Sequence, residues 1–331
     1  MSAPIKRREF ITLLGGAAAA PVLAPHVTRA QQPVIGFLHP ATADGGAPVV
    51  AEFRKGLSEA GFVEGRNVTI EYRWAQNDNN RLAELAAELV RRKVAVIATP
   101  GSAPAAVAAK AATTSIPIVF GIGSDPVAIG LVKSLNRPGG NVTGITSLNN
   151  ELASKRIGYL HALAPSRGRI GVLINPSVPY FQSAIEEARI GASAVGRQIE
   201  ILPTSSFGDI DSAFAKLLER PAPALLVNPG WPAGERRAEI ATLAARHAVP
   251  VMYPSRQYVQ AGGLISYGPD TADEWRQTGI YTGRVLKGEK PSELPVWRAI
   301  KFELVINLHT AKALGLTVPP TLLSIADEVI E

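Results

Sequence analysis

The chain reads as an α/β protein built from two doubly wound parallel-sheet lobes joined by a three-segment hinge, and three observations carry that reading. Short apolar runs alternate with helix-length segments along most of the 331 residues, the pattern of parallel strands joined by right-handed crossovers. Ile170-Gly171-Val172-Leu173-Ile174-Asn175-Pro176 repeats the pattern of Ile35-Gly36-Phe37-Leu38-His39-Pro40, one residue longer, which points to two similar halves. In the last third the rhythm breaks. A strand between Gly262-Gly263 and Gly268, a helix over 271–286, a proline-marked linker over 290–296 and a strand over 301–306 can be shared between two sheets if the chain passes between them three times. The expected division is a leader at 1–30, lobe one at 33–146 with 268–298, and lobe two at 147–267 with 299–331. A chain that is 46% hydrophobic and 19% charged has the composition of a globular protein, and its length allows two cores of about 150 residues each.

The leader reads as a cleavable export signal. Lys6-Arg7-Arg8 is a charged start, the stretch 11–24 is apolar but broken by Gly15, Gly16 and Pro21, and Thr28-Arg29-Ala30 offers small residues where a signal peptidase cuts. Arg7-Arg8 followed by Phe10 resembles a twin-arginine signal. The mature protein is expected in the periplasm. Half of the formal net charge of +6 belongs to this leader, and the remaining basic residues are interspersed with acids, so no nucleic-acid footprint is read. The chain has no cysteine, which removes disulfides, thiolate nucleophiles and Cys-ligated metals.

Taken in order, 34–38 is a buried strand followed by a helix over 48–60. Residues 66–74 alternate as a strand, with Val68, Ile70 and Tyr72 on one face. Asn79 or Asn80 can cap a helix carrying the stripe Leu82, Leu85, Ala86 and Leu89. A strand over 94–98 leads through Thr99-Pro100-Gly101-Ser102 into an alanine-rich helix over 103–112. Ile116 to Ile122 is a doubly buried strand stopped by Gly121-Ile122-Gly123, with Ser124 or Asp125 as a cap and Pro126 opening an apolar helix. Strands follow at 141–146, 170–174, 198–202, 224–228 and 250–253, with helices over 150–163, 180–192, 209–220 and 234–247.

Ligands of open parallel sheets bind beyond the carboxyl ends of the strands. The candidate contacts are therefore Thr42, Thr99, Ser102, Ser124 and Asp125 from lobe one, Asn175, Tyr180, Asn228 and Trp231 from lobe two, and Ser266, Tyr267 and Asp270 at a crossing, with His39 and Thr146 beside them. This polar set, with aspartates as its only charges, suits a zwitterion with an apolar or aromatic side chain. The helix start at Ser102 can take a carboxylate, with about 0.3–1 kcal/mol from the helix dipole, Asp125 or Asp270 an ammonium, and Tyr180 or Trp231 a side chain. Each residue also has a structural reading: Ser102, Asp125 and Asp270 as caps, Tyr180 as core, Trp231 as loop packing and His39 as a hydrogen-bonded loop residue.

Catalytic signatures are missing. The chain has no Walker phosphate loop, no His-Glu-x-x-His and no Gly-x-Ser-x-Gly, and its histidines are not spaced as metal ligands. No catalytic residue, metal or cofactor is expected.

Gly65 to Arg73, Asp125-Pro126, Arg137 to Gly144, Gly262 to Gly268 and Lys301 to Leu308 together resemble the periplasmic substrate-binding proteins of ABC importers, in the tryptophan-binding-like group, over essentially the whole mature chain. Trp275 stands where the resemblance expects a tyrosine. The resemblance implies a type I periplasmic binding fold, capture of a small solute in the interlobe cleft without catalysis, an inner-membrane permease as partner and a monomeric chain. The lean for the solute is an amino acid, aromatic or branched. The alternatives are an exported sensing module for a membrane receptor and, less favoured, an exported hydrolase.

Overall fold

The computed structural model describes residues 32–331 apart from 165–167, 207, 220–223, 230–236, 300 and the side chain of Asn150. The expected export signal, Trp231 and the start expected for the helix over 234–247 lie outside the described residues. The chain runs β1 (Val34–His39), α1 (Ala47–Glu59), β2 (Thr69–Trp74), α2 (Leu82–Arg91), β3 (Val96–Thr99), α3 (Ala103–Ala112), β4 (Ile118–Ile122) and β5 (Val142–Thr146). It continues through α4 (Ala153–Leu163), β6 (Ile170–Ile174), α5 (Phe181–Ala194), β7 (Ile199–Pro203), α6 (Asp209–Leu218), β8 (Ala224–Val227), α7 (Arg237–Arg246), β9 (Val251–Tyr253), α8 (Arg256–Gln260) and β10 (Ile265–Pro269). The last stretch holds α9 (Thr271–Leu286), β11 (Trp297–Arg298), β12 (Phe302–Asn307), α10 (Leu308–Ala313), α11 (Pro320–Leu323) and β13 (Glu328–Ile330).

Two sheets result, in the orders β11-β5-β4-β3-β1-β2 and β13-β12-β10-β9-β8-β6-β7. Sheet one is parallel throughout. In sheet two β10 and β12 pair antiparallel, the one antiparallel pair among the described strands. The chain leaves sheet one after β5, returns as α9 after β10, adds β11 to sheet one and crosses again to β12.

The layers follow from the residues. β3 and β4 are buried at every position, which is why they read as unbroken apolar runs. One face of sheet one (Phe37, Val119, Ile145) packs with α1 and α9, and the other (Leu38, Ile97, Phe120, Ile122) with α2 and α3. α2 buries its expected stripe Leu82, Leu85, Ala86 and Leu89. Helices α1 and α9 cross so closely that a Cβ on Gly56 would lie 1.8 Å from the Arg276 carbonyl oxygen and one on Gly279 2.1 Å from that of Phe53.

Several expectations are corrected. No helix follows Pro126. The chain makes one turn, Ile129 N–H donating to Asp125 O, and then leaves it at Gly130, which sits at φ +72°. Lys110 takes up the freed carbonyls of Gly130 and Leu131. Asp78, rather than Asn79 or Asn80, caps the turn before α2, accepting from the Asn80 N–H at 3.0 Å. The linker over 290–296 ends in a strand, β11, and β13, α8 and α11 have no counterpart among the expected elements. Elements of two to five residues are too short to show a period.

Candidate functional site

The carboxyl ends of β1 to β5 hold an aromatic group that closes over a glycine. His39 lies 5.7 Å, ring to ring, from Trp74, which stacks flat on Tyr72. A Cβ on Gly101 would come within 2.9 Å of Trp275 Nε1 and 3.7 Å of His39 Nε2, and Gly101 also sits at φ +75°, so glycine is needed there twice over. Burial pulls His39 down to about 4, so it is neutral at pH 7. Its Nδ1 accepts from the Ala41 N–H at 3.2 Å, which leaves the ring proton on Nε2, toward Gly101.

The remaining expected contacts on this side are mostly engaged within the protein. Ser102 is buried and caps α3, its Oγ accepting from the Ala105 N–H at 3.1 Å. Asp125 accepts from the Val127 N–H at 2.8 Å, an Asx turn instead of a helix cap. Ser124 is buried, and its carbonyl accepts from Thr146 Oγ1 at 2.8 Å. Thr42 is half-buried and its Oγ1 accepts from the Gly45 N–H, beside a shallow depression shared with Asp44 and Gln76. Thr99 differs: it is fully buried at the end of β3 and its Oγ1 has no hydrogen-bond partner.

On sheet two, Tyr180 is buried and donates to the Pro229 carbonyl at 3.0 Å, while Asn175 Oδ1 accepts from the Ser177 N–H at 2.8 Å. Asn228, 2% exposed one residue past β8, has an unpartnered Oδ1. Ser266 and Tyr267 do not lie at the strand end, because β10 runs on to Pro269. Ser266 pairs in register with Tyr253 inside the sheet, and Tyr267 packs edge-on against Tyr159, with its hydroxyl accepting from Lys155 Nζ at 2.7 Å. Asp270 caps α9 through the Asp273 N–H and faces Lys301 at 3.8 Å.

The crossings hold two buried charged side chains that sequence reasoning missed. Arg156, on α4 and 1% exposed, donates from Nε to Tyr267 O at 2.7 Å, from Nη1 to Asn149 O at 3.0 Å and from Nη2 to Pro254 O at 3.3 Å and to Asn149 Oδ1. It thus ties the first crossing to the middle of β10 and to the residue after β9 without a carboxylate partner among the described residues, and burial lowers it to about 9. Glu274, in the first turn of α9 and 5% exposed, is pushed up to about 7 by burial, against a smaller pull from the Ser147 hydroxyl of the first crossing. Between Ser147 and Asn149, Leu148 sits at φ 49°, a left-handed conformation unusual for a bulky residue. A first-turn acid reads in sequence as a partner of the helix dipole. The signal that marks Glu274 as buried is the stripe Glu274, Thr278, Thr282 alternating with Gly279 and Gly283 at helical spacing.

Comparison with known proteins fits this arrangement. Residues 35–330 match the family described as ABC transporter substrate binding protein. The chain belongs to that family. Its members are solute-binding proteins rather than enzymes, and the two α/β lobes are those of type I periplasmic binding proteins. A tyrosine-binding protein of Clostridioides difficile is 28% identical over 270 residues, 80% of this chain and 75% of the relative. A Streptococcus pneumoniae ABC domain solved in complex with L-Trp superposes with a TM-score of 0.82 at 27% identity, covering 91% of this chain and all of that one. CD0873 of Clostridium difficile in its ligand-free, open structure superposes at 0.61, with 26% identity and 90% and 99% of the two chains covered.

Proposed function

We propose that this substrate-binding protein captures an aromatic amino acid in the cleft between its two sheets and delivers it to the permease of an ABC importer. The single observation that carries the reading is the set of groups at the strand ends. The half-buried rings of Trp74 and Trp275 stand near neutral His39, and the unpartnered Thr99 Oγ1 and Asn228 Oδ1 are buried away from water. A buried polar atom without a partner costs about 1–3 kcal/mol, a cost that a polar solute removes. The relatives support it, since one is a tyrosine-binding protein and another was solved with L-Trp. At nearly equal identity and coverage the chain superposes better on the L-Trp complex than on the open, ligand-free relative, so we read its lobes as closed.

The other parts follow the same reading. The lobes turn about the three crossings, the export signal over 1–30 is removed near Ala30, and the monomeric mature chain works in the periplasm. Thr42, Ser102, Ser124, Asn175 and Tyr180 frame the cleft. The test is thermal unfolding of the mature protein with L-Trp, L-Tyr, L-Leu, aromatic acids and sugars. A solute at about 100 times its Kd adds roughly 2.7 kcal/mol, enough to raise Tm by several degrees. The expected outcome is a rise with L-Trp or L-Tyr above all others; a rise confined to sugars sinks the reading.

A further inference from the structure

We propose that Glu274 is the anionic partner of the solute's ammonium group, an inference that rests on the amino-acid reading of the cleft and names the residue on which that class of solute depends. Three structural facts lead there. Glu274 stands where the second crossing enters lobe one, in the first turn of α9, directly after the Asp270 cap. The first crossing comes close to it at Ser147, whose Oγ is buried without a hydrogen-bond partner of its own. It is buried, and no cation pairs with it among the described residues.

Of the other acids near the crossings, Glu151 is exposed, and three are held by neighbours. Asp125 is held by the Val127 N–H, Asp270 by the Asp273 N–H and Lys301, and Asp273 by Arg276, which also holds Glu59. β3, β4 and β5, against which α9 packs, contain no titratable residue. On α1 the charges of Glu52, Arg54, Lys55 and Glu59 pair with Lys55, Glu64, Glu52 and Arg276. His39, beside Trp275 and Gly101, is neutral. Glu274 is thus a buried carboxyl with only a serine hydroxyl for company, and an isolated buried carboxylate is costly.

That cost shapes how the site works. In the arrangement described, with no solute beside it, the carboxyl holds its proton up to a pH of about 7. When an ammonium group enters, the carboxylate becomes the favoured form, the O–H bond of the carboxyl breaks, and the proton passes to buffer while the solute ammonium keeps its own. Protons and solute then compete for one group, so affinity falls as the pH drops below 7 and levels off above it. The steepest possible dependence is about tenfold per pH unit.

Calorimetric titration of the mature protein with L-Trp and L-Tyr at pH 6, in two buffers of different ionisation enthalpy, counts the protons released. Release approaching one proton per solute is expected, and binding with no proton release overturns the proposal without using any variant. Glu274→Gln is then compared with Asp125→Asn on L-Trp and on its deaminated analogue indole-3-propionate. Glu274→Gln is expected to weaken L-Trp at least thirtyfold at pH 8, to leave indole-3-propionate within threefold and to abolish proton release, while Asp125→Asn leaves L-Trp within threefold. Equal losses for the two compounds in Glu274→Gln overturn the assignment. If the unaltered protein binds neither L-Trp, L-Tyr nor any other amino acid, the amino-acid reading itself falls, and the Glu274 assignment with it.

Discussion

At the scale of single residues the decisive features are charges and glycines held away from water. Glu274 and His39 shape the acid response in opposite senses. A carboxyl held at about 7 instead of 4.5 makes the folded state the better proton acceptor, so folding gains stability as the pH falls from 7 to 4.5. A histidine held at about 4 instead of 6.5 makes the folded state the poorer acceptor, and stability present above 6.5 is lost as the pH falls to 4. Each contribution is worth about 3 kcal/mol, at roughly 1.36 kcal/mol for every tenfold change in proton affinity, so in the native protein they nearly cancel. Denaturant unfolding of Glu274→Gln should therefore show a loss of about 3 kcal/mol between pH 6.5 and pH 4 that the parent does not show; parallel profiles refute the pairing. Gly101→Ala should cost about 1–2 kcal/mol through its left-handed backbone alone and also displace Trp275, read as a lower Tm and altered indole fluorescence. Individual roles were only partly legible. Ser102 and Asp270 satisfied their capping reading because a cap is a local interaction. The helical stripe marks Glu274 as buried, but its nearness to Ser147, far away in sequence, no local pattern reveals.

At the scale of elements, long periodic segments were legible and short or tertiary ones were not. β4 and α2 show their burial in the order of their residues, whereas β11 is a strand because β5 offers an edge next to Trp297. The helix expected after Pro126 was a local reading that lost to Gly130 and to the grip of Lys110. The contact of α1 with α9 joins two parts of lobe one that are separated in sequence by the first stretch of lobe two, β6 to β10. Gly279→Ala should push its new methyl into the Phe53 carbonyl, 2.1 Å away, and part the helices. Overpacking of this kind costs about 1–3 kcal/mol, and a backbone atom cannot rotate aside, so a fall at the upper end is expected in chemical denaturation. Arg156 acts similarly within lobe two. Its loss in Arg156→Met leaves the carbonyls of Asn149, Tyr267 and Pro254 without this donor, at about 1–3 kcal/mol for each that stays buried and unpaired. A drop of more than about 3 kcal/mol is expected, and a smaller one would mean that water reaches these carbonyls.

At the scale of the whole molecule, the proposed capture of solute depends on three short passes that let the two sheets turn. The first pass is the most constrained. Ser147 N–H donates to Ile122 of sheet one, while Asn149 is gripped by Arg156 of lobe two, so a rotation between the sheets falls on the one residue between them. That residue, Leu148, sits at φ 49° and ψ 34°. A left-handed conformation costs a residue with a side chain about 1–2 kcal/mol, and residues held this way gather where a structure switches. If the closed arrangement imposes this conformation and the open one relaxes it, the solute must supply the difference. Leu148→Gly removes the penalty from the closed form only. It should tighten the solute about fivefold, the equivalent of about 1 kcal/mol, and make the solute-free protein more compact in small-angle scattering. If the strain persists in both forms, Leu148→Gly alters stability and leaves affinity unchanged, and the pivot must then be sought at the second or third pass. In a closing protein the affinity measured in solution is the intrinsic affinity reduced by the work of closure, so a residue that touches no solute sets part of it.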